Sequence, residues 1–523
     1  MPIARPAFTG TPRLSVRLRP FGRADAARAL VTVFVPILLL AVLTVEGVPV
    51  VLPIIEALVA VVAVLVVGRH PGPALCVLVV FLPIQEVLLA FLLRVGTPVG
   101  VIRGLGGVKE TIVIGLAIAA ISRPRGERRP LDALDRLVIT YLLLLIAYIF
   151  LPLILTGLFE AVPTSARLLA VRDDGLFALA FLGARHLVIA EAARQRVLQA
   201  VVATMSLVAA SALFEYLDSK EWNNLLSNDL HIQTYQLLVT GVSAPANDAL
   251  SHGSIDGHAI VRVSGLLLSP LTIGFALLVP LAYALQRLTT ARLRATSGLV
   301  AALCLAAILV TLTRSAILAA VLTVLLVVRF SFRRLSPGRF RVLVVLGLAA
   351  VVLAPLAGSS APVQRLATTF NGSDPSTQDH RNSLEIGLTV VHENPLGRGL
   401  GTAPAIGDRY DVAGRVTSEN AYLQVANEVG IETMIVFVLM LGLLLRELQR
   451  SSRGDGRNAE RATALLAAGL GISLGGFFLH VWADFPTAVT FWALAGMTVG
   501  RTAPDGRLPD AETTGRLADG AFR

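Results

Sequence analysis

Residues 137–155 read LVITYLLLLIAYIFLPLIL, directly after Arg136. These nineteen residues carry no charge. At 1.5 Å per residue as helix they extend about 28 Å, close to the roughly 30 Å hydrocarbon core of a bilayer. They show no polar–apolar alternation, so a half-buried strand does not fit. The segment reads as a membrane-crossing helix, and it sets the frame for the rest of the chain.

Similar blocks recur outward in both directions. Between charged or Pro/Gly punctuation, the sequence predicts spans near 29–45, 50–67, 73–93, 104–121, 137–155, 174–190, 197–217, 263–285, 297–312, 316–328, 342–357, 429–445, 462–481 and 486–500. Several are shorter than a full crossing needs, so the expected number is twelve to fourteen. The composition agrees. Of 523 residues, 55% are hydrophobic and only 15% charged, against about a quarter charged in soluble domains. A soluble enzyme, a disordered chain and a disulfide scaffold are excluded. Aromatic residues make up 6% and no alternating strand pattern recurs, which argues against an outer-membrane barrel. Cys76 and Cys304 both lie in apolar blocks and predict no disulfide.

The net charge of +10 follows the same frame. With the N-terminus placed in the cytoplasm, most of the 45 Lys and Arg fall in the tails and in loops on that side, as positively charged loops do. Nucleic acid is not needed to explain the charge. Arginines before the first apolar block suggest a leader, but no small-residue cleavage site separates that block from the next. The expected organisation is a basic cytoplasmic tail at 1–28, a polytopic membrane region at 29–500 and a polar cytoplasmic tail at 501–523. Two long outer loops, about 218–262 and 358–428, are where function is expected.

The second loop carries the densest chemistry. Ser376-Thr377-Gln378-Asp379 is a helix start, and Asn394-Pro395 is a stop, so a helix is expected over 377–394. On it Arg381, Glu385, Leu388 and His392 share a face, beside an apolar stripe of Leu384, Leu388 and Val391. Arg381 and Glu385 also suit a solvated ion pair. Pro395-Leu396-Gly397-Arg398-Gly399-Leu400-Gly401 leaves backbone N–H groups that suit phosphate, or forms a plain turn. Thr417 or Ser418 is placed to cap the helix that follows. Glu419 would then lie in its first turn, where the dipole favours an acid. Asn420 and Gln424 follow on the same segment. Arg262 and Arg314 sit at the outer ends of spans, against the charge rule. Such arginines face a cavity or ligand, or snorkel to headgroups. Guanidinium forks match phosphate oxygens, so Arg262, Arg314, Arg381 and Arg398 point to an anionic, diphosphate-bearing lipid.

Taken together, residues 376–445 with Arg314-Ser315 and Arg262-Val263-Ser264-Gly265 resemble the O-antigen ligase/polymerase family of bacterial envelope proteins. Asn420, nine residues, Gly430, two residues and Thr433 fit the spacing of the ligase pattern. Glu419 stands where that pattern has histidine. The resemblance implies an all-α integral membrane protein with the C-type glycosyltransferase-like architecture, in the bacterial plasma membrane with both termini cytoplasmic. It implies transfer of a glycan from a polyprenyl-diphosphate carrier, on the outer face, to lipid A–core or to another lipid-linked glycan. Partners would be that donor, a glycan or glycolipid acceptor and membrane lipid. No cofactor and no metal are expected. The chain has no DxD or HExxH pattern, and His252, Asp256 and His258 are loosely spaced for a metal.

In this reading Glu419 is the general base for a sugar hydroxyl, and Arg381 orients the acceptor or clamps phosphate. Arg314, Arg262 and Arg398 bind diphosphate, and Asn420, Gln424 and His392 contact the glycan. The competing class is a lipid-linked oligosaccharide flippase or other transporter. It would need charges in mid-span, and Glu56, Glu86, Lys109, Glu110, Arg185, His480 and Asp484 are the candidates. Lys109-Glu110 also reads as a buried ion pair joining two helices. A peptidoglycan polymerase of the shape-and-division type is a third reading, without visible loop motifs.

Overall fold

In the computed structural model the described residues are 61–123, 129–154, 159–240, 252–255, 258–290, 295–331, 375–407, 409–410, 412 and 418–500. The helices that build the body are α1 (Pro71–Arg94), α2 (Val99–Gly106), α3 (Val108–Ile121), α4 (Ala133–Ile154), α5 (Thr164–His186), α6 (Glu191–Leu217), α7 (Pro270–Ala276), α8 (Leu278–Thr290), α9 (Ala295–Val310), α10 (Arg314–Ser331), α11 (Pro375–Glu393), α12 (Ala421–Ser452), α13 (Gly456–Gly475) and α14 (Phe485–Val499). One small antiparallel hairpin, His252–Ile255 with His258–Val261, interrupts the helices.

Seven helical stretches among the described residues are long and apolar enough to cross a membrane. The protein is a multi-pass membrane protein whose body is all helical. The spans expected at 29–45 and 342–357, and 50–60 of the second span, lie outside the described residues, as do the tails 1–28 and 501–523. The span expected at 104–121 is divided between α2 and α3, and the one expected at 263–285 becomes α-helical only from Pro270; two further helices differ from their expected spans. The span expected at 174–190 is part of α5, which starts ten residues earlier and carries Arg167, Arg172, Asp173, Asp174 and Arg185. The span expected at 462–481 is α13, which ends at Gly475 and leaves His480 in a turn. Helices enclosed by other helices need no apolar outer face, so hydropathy understates them.

The core shows how α5 is enclosed. Phe177, Phe181, Trp492, Phe437 and Tyr141 form one aromatic cluster joining α5, α14, α12 and α4. Gly496 of α14 lies against the backbone of α5: a Cβ there would stand 2.5 Å from the Phe181 carbonyl oxygen. Small residues let membrane helices approach this closely.

Arg185, fully buried at the end of α5, binds Asp132 (2.7 Å), Asp135 (3.0 Å) and Glu447 (2.6 Å). Arg461 grips Glu191 with two bonds of 2.7 and 2.8 Å. The Lys109–Glu110 pair forms at 3.5 Å, and Arg172 reaches the same Glu110 at 3.5 Å. Lys109 and Arg172 both stand over the Phe485 ring, 5.1 and 5.3 Å from its centre. These charges therefore tie helices to one another.

Candidate functional site

The helix expected over 377–394 forms as α11. Its packing face is not the one carrying Arg381. Ser383 and Gly387 are buried against the segment that precedes α12. A Cβ on Gly387 would lie 3.0 Å from Ser418 Oγ and 3.3 Å from Leu423 Cδ1, so the absence of a side chain lets the segments approach closely. Ser383 Oγ accepts the Glu419 backbone N–H at 2.9 Å. One turn earlier, His380 presents Nδ1 to the Glu419 carboxylate, and the two pair. Both side chains remain about one-third exposed (34% and 36%).

The cap of α12 is Asn420. Its Oδ1 accepts the N–H groups of Tyr422 (2.9 Å) and Leu423 (3.0 Å), and its Nδ2 donates to the Phe477 carbonyl at 3.1 Å. Ser418 does not serve as the cap, and Thr417 lies outside the described residues. Glu419 consequently precedes the helix, and no acid occupies the first turn. The expectation that Glu419 sits in that turn is corrected, because Asn is at least as good a cap as Ser and stands two positions later.

Nine residues into α12 the helix kinks. Val429 and Gly430 leave helical geometry, with Gly430 at φ 82°, a region that favours glycine. The kink exposes carbonyls, and the glycine-rich loop docks on them. Arg398 N–H donates to the Asn427 carbonyl (2.7 Å), Gly399 N–H to Glu428 (2.9 Å), and Ile431 N–H returns a bond to Pro395 (2.9 Å). The buried Glu428 carboxylate accepts the N–H groups of Gly401 (2.8 Å) and Ala403 (3.1 Å). A Cβ on Gly397 would meet Gly430 N at 2.6 Å and Glu428 O at 2.7 Å. The N–H groups that suited phosphate are thus taken by the protein itself, and the loop is a clasp on the kink.

Beside α11 and Glu419 lies a cavity of about 230 Å³. Thr272, Phe275, Gln424, His480, Asp484 and Thr487 are among its walls. Asp484 caps α14 by accepting the Thr487 N–H at 3.1 Å, and it accepts the Thr272 hydroxyl at 2.7 Å. Burial pushes the imidazole of His480, in the turn between α13 and α14, below its usual pKa; the nearby Glu419 charge raises it and His380 lowers it. His480 therefore links the cavity electrostatically to the Glu419–His380 pair. Also in the wall, Ser269 precedes Pro270, whose carbonyl accepts the Thr313 hydroxyl at 3.2 Å. Thr313 Oγ1 in turn accepts from Arg262 Nη2 at 2.9 Å, and Arg314 is the next residue, opening α10.

The fold puts Gln424 in the cavity wall, with Glu419 near enough to His480 of that wall to act on its charge and Asn420 capping the helix that carries Gln424, while Arg262 is tied through Thr313 to Pro270, next to the wall residue Ser269. It does not bring Arg381, His392 or Arg398 into the cavity. Arg381 pairs with Glu385 at 3.1 Å, the two being 80% and 62% exposed, and His392 is exposed. The solvated-pair reading of Arg381 is the one observed, because α11 turns Ser383 and Gly387 inward instead. Arg398 pairs with Glu160. His380 and His480 are the additional residues near Glu419. The buried Ser383–Gly387 spacing, extended back by three residues, reaches His380 and was the signal available for it. Among the described residues, no group of three His, Cys, Asp or Glu is arranged to hold a metal ion, and Asp256 lies outside them.

A many-helix body with seven stretches, among the described residues, long and apolar enough to cross a membrane defines the class as integral membrane protein. Within it, residues 299–438 match the family model for O-antigen ligase. The match runs from α9 to the first half of α12 and covers about a quarter of the chain. It bears out the family resemblance read from the sequence. It also supports a role in glycan transfer of the ligase or polymerase type. No curated protein matches the sequence.

Proposed function

We propose that the protein transfers or polymerises a glycan from a polyprenyl-diphosphate carrier onto a sugar hydroxyl, on the outer face of the bacterial plasma membrane, with both termini cytoplasmic. The observation that carries the reading is Glu419. By the spacing read from the sequence it stands where the family's pattern has histidine, and it is about one-third exposed and pairs with His380. A carboxylate oriented by an imidazole is a competent base for a hydroxyl whose proton leaves late in the transition state.

The leaving group is a diphosphate, whose developing charge is stabilised by cations placed near it. Arg262 and Arg314 take that part, because Arg262 is linked through Thr313 to Pro270 beside the cavity wall and Arg314 follows Thr313 in the chain. Attack then runs from a hydroxyl beside Glu419 toward a sugar carbon whose diphosphate faces the arginines. The anomeric C–O bond to diphosphate breaks, the new glycosidic C–O bond forms, and the hydroxyl proton passes to Glu419. Donor and acceptor together supply all the atoms, so the residues named here suffice for this scheme.

The experiment is turnover of a purified polyprenyl-diphosphate glycan by the full chain in detergent or nanodiscs. Release of polyprenyl diphosphate coupled to glycan growth or transfer is expected. Movement of intact donor across a vesicle membrane without bond cleavage would instead establish the flippase reading.

A further inference from the structure

The cavity has a mixed wall. Leu271, Phe275 and Leu479 supply apolar surface, while Gln424, His480 and Asp484 supply polar groups. Two of those polar groups are unsatisfied: Gln424 Oε1 and His480 Nδ1 are buried atoms with no hydrogen-bond partner. Buried polar atoms in native proteins are nearly always paired, and leaving one unpaired costs about 1–3 kcal/mol. Two on one cavity point to an occupant.

The walls discriminate between the possible occupants. A prenyl tail would leave both polar atoms unsatisfied and would face a carboxylate, which is unfavourable. A diphosphate would meet Asp484, a like charge, and Gln424 Oε1, an acceptor where an anion needs donors. A neutral sugar ring fits both demands. Its hydroxyls donate to Gln424 Oε1 and to the remaining lone pairs of Asp484, and exchange a bond with His480 Nδ1. Its C–H face lies on Phe275 and the leucines. At about 230 Å³, the space is below the roughly 300–1,000 Å³ of sites for drug-sized ligands, the scale of a single ring.

We infer that this cavity is a subsite for one neutral sugar residue of the glycan, with Gln424, His480 and Asp484 selecting it through its hydroxyls. The inference rests on the glycan-transfer reading and deepens it by locating sugar recognition. Of these three selecting residues, His480 and Asp484 lie beyond the 299–438 match, so the ring accepted is set largely by parts of the chain outside the shared segment.

The test is direct binding to the purified full-length protein, with no turnover required. Trp482 lies between two wall residues, Val481 and Ala483, so its fluorescence reports occupancy. Saturation-transfer NMR gives a second readout. The probes are glucose, galactose, mannose, rhamnose and N-acetylglucosamine, with inorganic pyrophosphate and polyprenyl phosphate as competitors. At least one sugar should bind saturably. Ala483→Leu, which fills the space, and Gln424→Leu, which removes the acceptor, should each weaken it tenfold or more. Thermal unfolding shows which variants remain folded, and either folded variant suffices. The inference is overturned if no sugar binds, if the folded variants bind as wild type does, or if pyrophosphate or polyprenyl phosphate displaces the sugar. Sugar binding without any glycan turnover by wild type would leave the subsite standing and remove the transfer reading. Turnover without sugar binding would do the reverse.

Discussion

His380 on α11 pairs through Nδ1 with the carboxylate of Glu419, the residue just before the cap of α12. The pair joins two segments that also share the Ser383–Glu419 backbone bond and the Gly387–Ser418 contact. Both partners are partly exposed, and such pairs contribute at most about 1 kcal/mol to stability. An arrangement this weak in stability and this accessible to solvent is better placed to act on a ligand than to hold the fold.

His380→Ala should therefore separate activity from stability. Glycan transfer is expected to fall at least tenfold, while unfolding free energy changes by no more than about 1 kcal/mol. His380→Asn should recover part of the loss by restoring a donor. Wild-type transfer in His380→Ala would show that Glu419 acts without it.

The arginines divide. Arg314→Ala is expected to lose tenfold or more in transfer, equivalent to about 1.4 kcal/mol of transition-state stabilisation. Arg314→Lys should restore only part, because an ammonium lacks the paired fork of a guanidinium. Arg381→Ala should stay within threefold of wild type, because its exposed pair with Glu385 contributes only about 0.3–0.5 kcal/mol. Steady-state transfer rates on all three variants decide this. The opposite order would return the anion site to α11.

Gly397 and Gly430 test the clasp. A methyl group at Gly397 would meet two backbone atoms at 2.6 and 2.7 Å, and alanine at Gly430 would be held at φ 82°, which costs about 1–3 kcal/mol. Either alanine variant should unfold at lower temperature and lose transfer together. A variant with the wild-type unfolding midpoint would show that the kink can relax.

At the opposite end of α12, Arg185→Ala leaves Asp135 buried beside an empty space. Breaking such a network costs about 3–5 kcal/mol, so little folded protein should be recovered from membranes. Size-exclusion chromatography in detergent measures it, and a normal monodisperse yield would contradict the role assigned to this network.

Acid should weaken the fold around His480. Burial holds its pKa below the usual value, against Glu419, which raises it, with His380 lowering it. The unfolded chain then takes up a proton that the folded one refuses, so this stability is present above about pH 6.5 and is lost as pH falls. The unfolding midpoint should drop on acidification through that range, and His480→Gln should drop less. Equal pH dependence in both proteins would assign the effect elsewhere.

Much of this was legible from residue order alone. Apolar length marked α1, α4 and α6 because lipid-facing helices must be apolar along one whole side. The same logic misjudged α5 and α13, whose charges are satisfied by neighbours that no local window contains. Asn394-Pro395 set the end of α11, but which face of α11 would pack depended on Gly387 meeting Ser418, a contact between distant segments. That one rotation leaves Arg381 exposed with Glu385 and turns His380 to Glu419. Glu419 and Gln424 could be singled out in the sequence because they lie within a recognisable spacing. His480 lay beyond that spacing, and its proximity arises only from the turn joining α13 to α14.

The central claim is glycan transfer with Glu419 as proton acceptor, and the most direct measurement is the single-turnover rate of purified Glu419→Gln on a polyprenyl-diphosphate glycan. Glutamine preserves shape and hydrogen bonding but not basicity, and a general base typically contributes about 100- to 10,000-fold. The account predicts a loss within that range, with Glu419→His retaining activity. A Glu419→Gln rate within threefold of wild type would contradict it.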